Sequence, residues 1–278
     1  MDLISKYSLY IVIAMFVFFA AAEMIIPLHR SNGRVTFRWF TNFSMTLVIV
    51  LIFKLGSPVV ALVTASLAEH FEIGVFNHVD LSLPLVLLLG IVVLDLKQYV
   101  FHWLMHYFDA LWRIHQVHHS DVEIDLTTGF RFHPLEAILS ELTNIIVVVA
   151  LGIPAEVLLL RYLMIFFFNF FSHGNFYISP MLDRYLKWVL VTPSMHHLHH
   201  AMDKTAANHN FGVFFTFWDR LFGTYISRHP RAELLVDESN YDYGLREYRE
   251  SARLNLMLLM LMPFKSETAD VEDTPGDS

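Results

Sequence analysis

Sixteen histidines nearly match the nineteen Lys and Arg of this chain, and half of them fall into three clusters: His102 and His106, then His115, His118 and His119, then His196, His199 and His200. The first cluster is spaced i, i+4 and the other two i, i+3, i+4, so on a helix each set projects from one face about a turn apart. This is how a polypeptide offers nitrogen ligands to a metal ion. A single such pair has a plain explanation as a cap or a carbonyl-bonded side chain. The eight imidazoles together exceed the roughly four to six ligands of one ion, so two metals are implied. There is no cysteine, which excludes disulfides, iron–sulfur clusters and thiolate zinc. The absence of H-E-x-x-H argues against a zincin.

The elements that position these histidines must sit in lipid. Of 278 residues 55% are hydrophobic and only 17% charged, 25 are Phe, and the mean hydropathy is +0.47. One soluble core cannot shelter that many aromatic rings, whereas a bilayer solvates them. The composition gives an all-α, membrane-embedded bundle of about four to five spans or half-spans, carrying a histidine-rich helical cap. One domain over residues 1–264 is expected, with its catalytic core at about 95–225. Residues 265–278 form an acidic tail read as disordered, which holds half of the net charge of −8. No nucleic-acid partner is expected.

Ser8 to Leu28 reads as a first span, interrupted only by Glu23. A cleaved signal peptide is the competing reading, weakened by the length of the run and the lack of a small-x-small site. Phe43 to Leu67 contains Lys54, Gly56 and Pro58 and reads as a kinked span or a re-entrant pair. Leu81 to about Tyr99 runs straight into the first histidine cluster. Ala137 to Ser172 is too long for one crossing, and Gly152-Ile153-Pro154 divides it into a helical hairpin. Leu254 to Phe264 is too short to span and reads as an interfacial or, better, a packed helix. The loop with Arg30, Arg34 and Arg38 faces one with Glu69, Glu72 and Asp80, which places the Arg loop, the histidines and the C-terminus on the cytoplasmic side. The late histidines join the early ones only after an even number of crossings, which the hairpin supplies.

The order H-x-x-x-H, H-x-x-H-H, H-x-x-H-H, followed by Trp218-Asp-Arg-Leu-Phe-Gly-Thr-Tyr225, resembles the fatty acid hydroxylase/sterol desaturase superfamily of integral membrane di-iron oxygenases over roughly Asp95 to Tyr225. The resemblance implies that the eight clustered histidines ligate two irons. It adds His133, in Arg131-Phe-His-Pro, and His173, in Phe171-Ser-His-Gly, to a set of ten. It also implies O₂ as co-substrate, with zinc as a substitute in purified protein. Trp103 and His197 stand where such proteins often have Arg. His209 reads as a loop or metal-distal residue, and His29, His70, His78 and His229 as interface or surface residues.

Three polar residues are candidates to support the ligands. Asp95 lies two helical turns before His102, Glu136 lies near His133, and Asn169 lies one turn before His173. The reaction implied by the resemblance is hydroxylation or desaturation of a lipid or sterol-like C–H bond, with Phe166 to Phe171 either walling the substrate's entry or facing lipid. Electrons must come from a separate donor protein, since the chain carries no flavin fingerprint or haem motif. A metal-dependent lipid hydrolase that uses Glu136 or Asp95 as base is the alternative, although hydrolysis needs fewer histidines. A haem cytochrome fits the crowded triplets poorly.

Overall fold

The computed structural model describes residues 2–29, 35–53, 57–227, 242–250 and 253–265. Arg30, Arg34, Lys54, Gly56, His229 and the acidic tail from residue 266 onward lie outside the described residues. Among those described there is helix and no strand, only isolated bridges such as Pro27 with Phe176.

Among the described residues five helices are long and apolar enough to cross a membrane: α1 (Asp2–Ile25), α2 (Val35–Phe53), α4 (Leu83–Tyr107), α6 (Pro134–Leu151) and α7 (Ala155–His173). The chain is a multi-pass membrane protein. Leu9, Phe18 and Ile146 are each about two-thirds exposed, and lipid is the solvent that accepts such faces. The stretch read as a kinked span or re-entrant pair is two helices, α2 and α3 (Ser57–His70). At 14 residues α3 is about 21 Å long, short of a crossing. Its Ala65 joins Ile91 and Leu94 of α4, Val148 of α6 and Val157 of α7 in one core cluster.

The expected hairpin is α6 and α7, broken at Gly152 to Pro154. Gly152 ends α6 in the left-handed conformation (φ 65°), and a Cβ there would sit 2.6 Å from Asn77 Nδ2, so this close turn requires glycine. The hairpin returns His173 to the end of the bundle where α4 delivers His102 and His106. α4 runs past Tyr99 to Tyr107, so both histidines belong to the spanning helix itself.

At that end lies the cap: α5 (Asp109–His119), α8 (Pro180–Leu186), α9 (Pro193–His199), α10 (Lys204–Ala207), α11 (Phe217–Leu221) and α12 (Leu256–Leu261). Residues 254–264 pack rather than float, with Leu254, Leu259 and Met262 buried against Met45 of α2 and Val117 of α5. Of the Phe166 to Phe171 rings, Phe168 and Phe170 are buried and Phe166 and Phe171 half-buried. Phe168 stacks on Phe214, and Phe170 meets Phe16, Phe19 and Phe130, so this stripe ties α7 to α1 and the cap. Phe167 is the ring that shows substantial exposure.

Buried charges lock the helix ends to the cap. Arg38 is not a free loop charge. It forks onto Asp121 at 2.7 and 3.0 Å and reaches Asp125 at 3.1 Å. Arg131 lies 3.3 Å from the same Asp121 and bonds Asn42 and Ser120. Two guanidinium groups around one buried carboxylate outweigh the desolvation that burial imposes and hold Asp121 well below the usual carboxylate range. Glu23, in the last turn of α1, accepts the amide protons of Leu126 and Asn175, both at 2.7 Å.

Candidate metal centre

α4 supplies His102 and His106, α5 supplies His115, His118 and His119, the end of α7 supplies His173, and α9 with its C-cap supplies His196, His199 and His200. The extended residue Phe108 separates α4 from α5, and the turn brings the rings of His106 and His115 edge to face at 4.9 Å. These nine histidines form two groups, in each of which the donor nitrogens lie within 4.8 Å of one another. The first holds His102, His106, His115, His119 and His199, and the second holds His118, His173, His196 and His200. The rings of His119 and His200, 4.4 Å apart, are where the groups meet.

The H-x-x-H-H spacing is what divides the ligands. In α5, His115 and His119 face the first group and His118 the second. In α9, His199 faces the first, while His196 and His200 face the second. Each triplet therefore straddles both groups.

The outer nitrogens of several ligand rings are tied to acceptors. The Nδ1 of His102 meets the Phe211 carbonyl at 2.9 Å, that of His115 meets Glu136 Oε1 at 2.9 Å, and that of His199 meets the His209 carbonyl at 2.8 Å. Each partner is an acceptor, so each Nδ1 carries the proton and each Nε2 presents a lone pair inward. His102 and His115 then face each other through two such lone pairs at 3.1 Å. In the second group His173 donates from Nδ1 to the Asn169 carbonyl, and its bare Nε2 lies 2.9 Å from His196 Nε2 and 3.2 Å from His118 Nε2. The Nε2 atoms of His106, His119 and His199 are buried without a hydrogen-bond partner. Burial, reinforced by neighbouring imidazoles, pushes His118, His119, His196 and His200 well below the ordinary imidazole range, and burial takes His199 to about 3, so these rings are neutral. Converging neutral nitrogens with their outer protons fixed are a metal site's donor set.

His133 does not join them. Its Nδ1 accepts the Leu135 amide proton as the N-cap of α6, and its Nε2 lies 3.2 Å from the Met260 carbonyl. The reading of His133 as a ligand is corrected: the His-Pro pair starts a helix. Glu136 is corrected in its partner, since it supports His115 rather than His133. The side chain of Asn169 reaches only toward the Gly129 carbonyl at 3.5 Å, and its backbone carbonyl is what holds His173. Asp95 touches no imidazole. It accepts the amide protons of Phe214 and Phe215 and the indole N–H of Trp218.

Asp95 acts at one remove, through residues that spacing did not single out. Asp219, inside the Trp218 to Tyr225 segment, accepts the amide protons of Phe211 at 2.7 Å and Gly212 at 2.9 Å. Burial raises it to about 6. Gly212 is required by this approach, because a Cβ there would sit 2.7 Å from Asp219 Oδ2. Asn210 takes the left-handed conformation at φ 58°, which Asn tolerates, and the carbonyls on either side of it, those of His209 and Phe211, hold His199 and His102. His197 points away from both groups and lies 3.1 Å from the His173 carbonyl. The ring of His209 bonds the Thr205 carbonyl.

Residues 87–224, about half of the chain, match the sequence model of the fatty acid hydroxylase family. The chain is 30% identical to ornithine lipid hydroxylase of Rhizobium tropici over 49% of its own length and 40% of that protein's. It is 29% identical to alkylglycerol monooxygenase of Homo sapiens over 47% of its own length and 28% of that protein's. It is 25% identical to the delta(7)-sterol 5(6)-desaturase of Saccharomyces cerevisiae over 66% of its own length and 45% of that protein's. The matched stretch thus covers less than half the length of each of these curated relatives. No solved structure matches.

Proposed function

The chain belongs to the fatty acid hydroxylase family, and we propose that it is a di-iron oxygenase that hydroxylates or desaturates a lipid within the bilayer. The observation that carries this reading is the pair of all-nitrogen groups, five imidazoles and four, buried side by side at one end of a membrane bundle. Five nitrogens exceed the tetrahedral set that zinc takes, and imidazole suits iron. When bound, two iron ions would supply the reduction of O₂ and the attack on an inert C–H bond. For hydroxylation one O₂, two electrons and two protons give one hydroxyl group and one water.

The chain's own part is to hold, orient and keep dry. The carbonyls of Phe211, His209 and Asn169 and the carboxylate of Glu136 fix which nitrogen of each ligand faces inward. Asp95 and Asp219 hold the loop that carries two of those carbonyls. The buried rings exclude bulk water. A lipid enters such a site from the bilayer, and a separate electron-donor protein docks on the cap, which faces the cytoplasm.

Hydrolysis is the weaker reading, because it needs a free base beside the metal. Asp95 is spent on amides and an indole, and Glu136 sits at the outer Nδ1 of His115 rather than at its inward Nε2. The test is turnover of a bilayer lipid extract by iron-loaded protein with a chemical reductant and ¹⁸O₂, followed by mass spectrometry. A labelled hydroxyl or loss of two hydrogens supports the proposal. Lipid cleavage that proceeds without O₂, or no change with both metals in place, overturns it.

A further inference from the structure

Behind the four-histidine group lies a cavity of about 730 Å³ that opens at the cap. It reaches Leu28, just past the end of α1, and Phe176, just past the end of α7, and so sits where two spans leave the bilayer. Beside it α8 and the residues after it expose Met181 at 70%, Tyr185 at 66% and Trp188 at 65%. Exposed aromatic and apolar side chains at the end of a span mark the level of lipid head groups.

The lining is largely apolar and aromatic, but its charges have a sign. Among the described residues Arg184, Lys187 and Arg220 face it with Asp183 as the one acid. Lys187 is paired to Asp183 at 2.6 Å, which leaves two guanidinium groups uncompensated. Arg220 is held in place, stacked 3.8 Å from the Tyr225 ring and 4.7 Å from that of Trp188, with its Nε buried and unbonded. At the inner wall stands His197, which is 2% exposed. Its Nε2 donates to the His173 carbonyl, so Nδ1 is an acceptor, and Nδ1 is buried without a partner. A buried acceptor with nothing to accept is costly, and a ligand hydroxyl would satisfy it.

We propose that this cavity binds the head group of an anionic phospholipid, with the phosphate at Arg220 and Arg184 and a free head-group hydroxyl at Nδ1 of His197. Guanidinium groups suit phosphate geometry, and the volume accommodates a head group. The His173 backbone links this cavity to the metal groups, since one residue contributes its ring to one and its carbonyl to the other.

The test is native mass spectrometry of the full chain in detergent with short-chain lipids. Dihexanoyl phosphatidylglycerol, which has phosphate and hydroxyls, should bind roughly tenfold more tightly than the phosphatidylcholine of equal chain length. Phosphatidylmethanol, an anionic diester of the same charge with no head-group hydroxyl, should fall between them. Arg184→Glu, an exposed change that leaves the core alone, should weaken both anionic lipids. His197→Leu should weaken phosphatidylglycerol and leave phosphatidylmethanol unchanged. Equal binding of phosphatidylglycerol and phosphatidylcholine, or indifference to Arg184→Glu, overturns the site. Soluble glycerol 3-phosphate or inorganic phosphate binding as tightly as the lipid overturns the lipid as its source. Because binding rather than turnover is read, failure here and failure of the oxygenase reading are distinguishable.

Discussion

Glu136 Oε1 lies 2.9 Å from Nδ1 of His115, and both side chains are buried. His115 thus differs from the other ligand candidates: His102, His173 and His199 give their outer proton to a neutral carbonyl, His115 to a carboxylate. A carboxylate makes the ring a stronger donor to a metal. The other oxygen of Glu136 is buried without a partner, so its charge is directed at this one imidazole.

Glu136→Ala should therefore weaken metal binding about 10–100-fold at the five-histidine group, and Glu136→Gln, which keeps an acceptor but loses the charge, should lie between Ala and the parent. Chelator competition followed by elemental analysis measures this. Unchanged affinity in Glu136→Ala would show that the contact only packs the helix.

The division of the triplets predicts a second result. The parent should carry close to two metals per chain. His173→Gln or His196→Gln should lose one and keep the other, and His102→Gln or His199→Gln should do the converse. His197→Gln should keep both, since its ring turns away from each group. Loss of both metals from every variant, or loss of metal from His197→Gln, would break this partition.

Much of this was legible in the sequence, and the part that was not has a physical cause. Spacing on one helix is local, so the clusters on α4, α5 and α9 could be read directly, as could the Gly152 to Pro154 break. Which imidazole faces which metal depends on how helices cross, and the α5 triplet alone does not tell His118 from His119. The role of His133 turned on a cap, and His-Pro at a helix start looks the same as a loop ligand. Asp95 was singled out as an acid in a span, yet its partners lie more than a hundred residues away at Phe214 and Trp218. Arg38 reads as a topogenic charge because its partner Asp121 is 83 residues away. Asp219 and Asn210 act through backbone groups, which leave no side-chain pattern to find.

The cap predicts a distinct outcome for His133. His133→Asn keeps a good N-cap and should be nearly neutral, whereas His133→Ala should cost roughly 1 kcal/mol of stability. Neither should change the metal count. Thermal unfolding in detergent with parallel elemental analysis separates the effects, and metal loss in His133→Asn would return this residue to the ligand set.

Sidedness is a proposal with its own test. Arg38 is committed to Asp121 and Asp125, so the basic loop rests on Arg30 and Arg34 against Glu69, Glu72 and Asp80. Single cysteines at Asn32, Asn77 and Asp270, in a chain that has none of its own, should react with an impermeant reagent from outside only at Asn77. Outside labelling at Asp270 would place the cap on the other face.

The last prediction concerns the lock beneath the second cluster. Asp121 follows His119 by two residues and is held by Arg38 and Arg131, with Thr128 and Asn42 donating to the same oxygen, Oδ2. Removing one partner of a buried ion pair leaves an uncompensated charge, worth roughly 3–5 kcal/mol. Arg131→Met should therefore destabilise the protein strongly and loosen the histidines of α5. Asp121→Asn alone leaves two buried guanidinium groups facing each other and should be at least as damaging. If the pair is coupled, Asp121→Asn combined with Arg131→Met should cost less than the two single changes added together, because the remaining Arg38 keeps Asp125 and Glu123 as partners. A double-mutant cycle on the unfolding temperature in detergent measures the coupling. Additive effects would mean that Arg131 fills space at this position and that Asp121 is held by Arg38 alone.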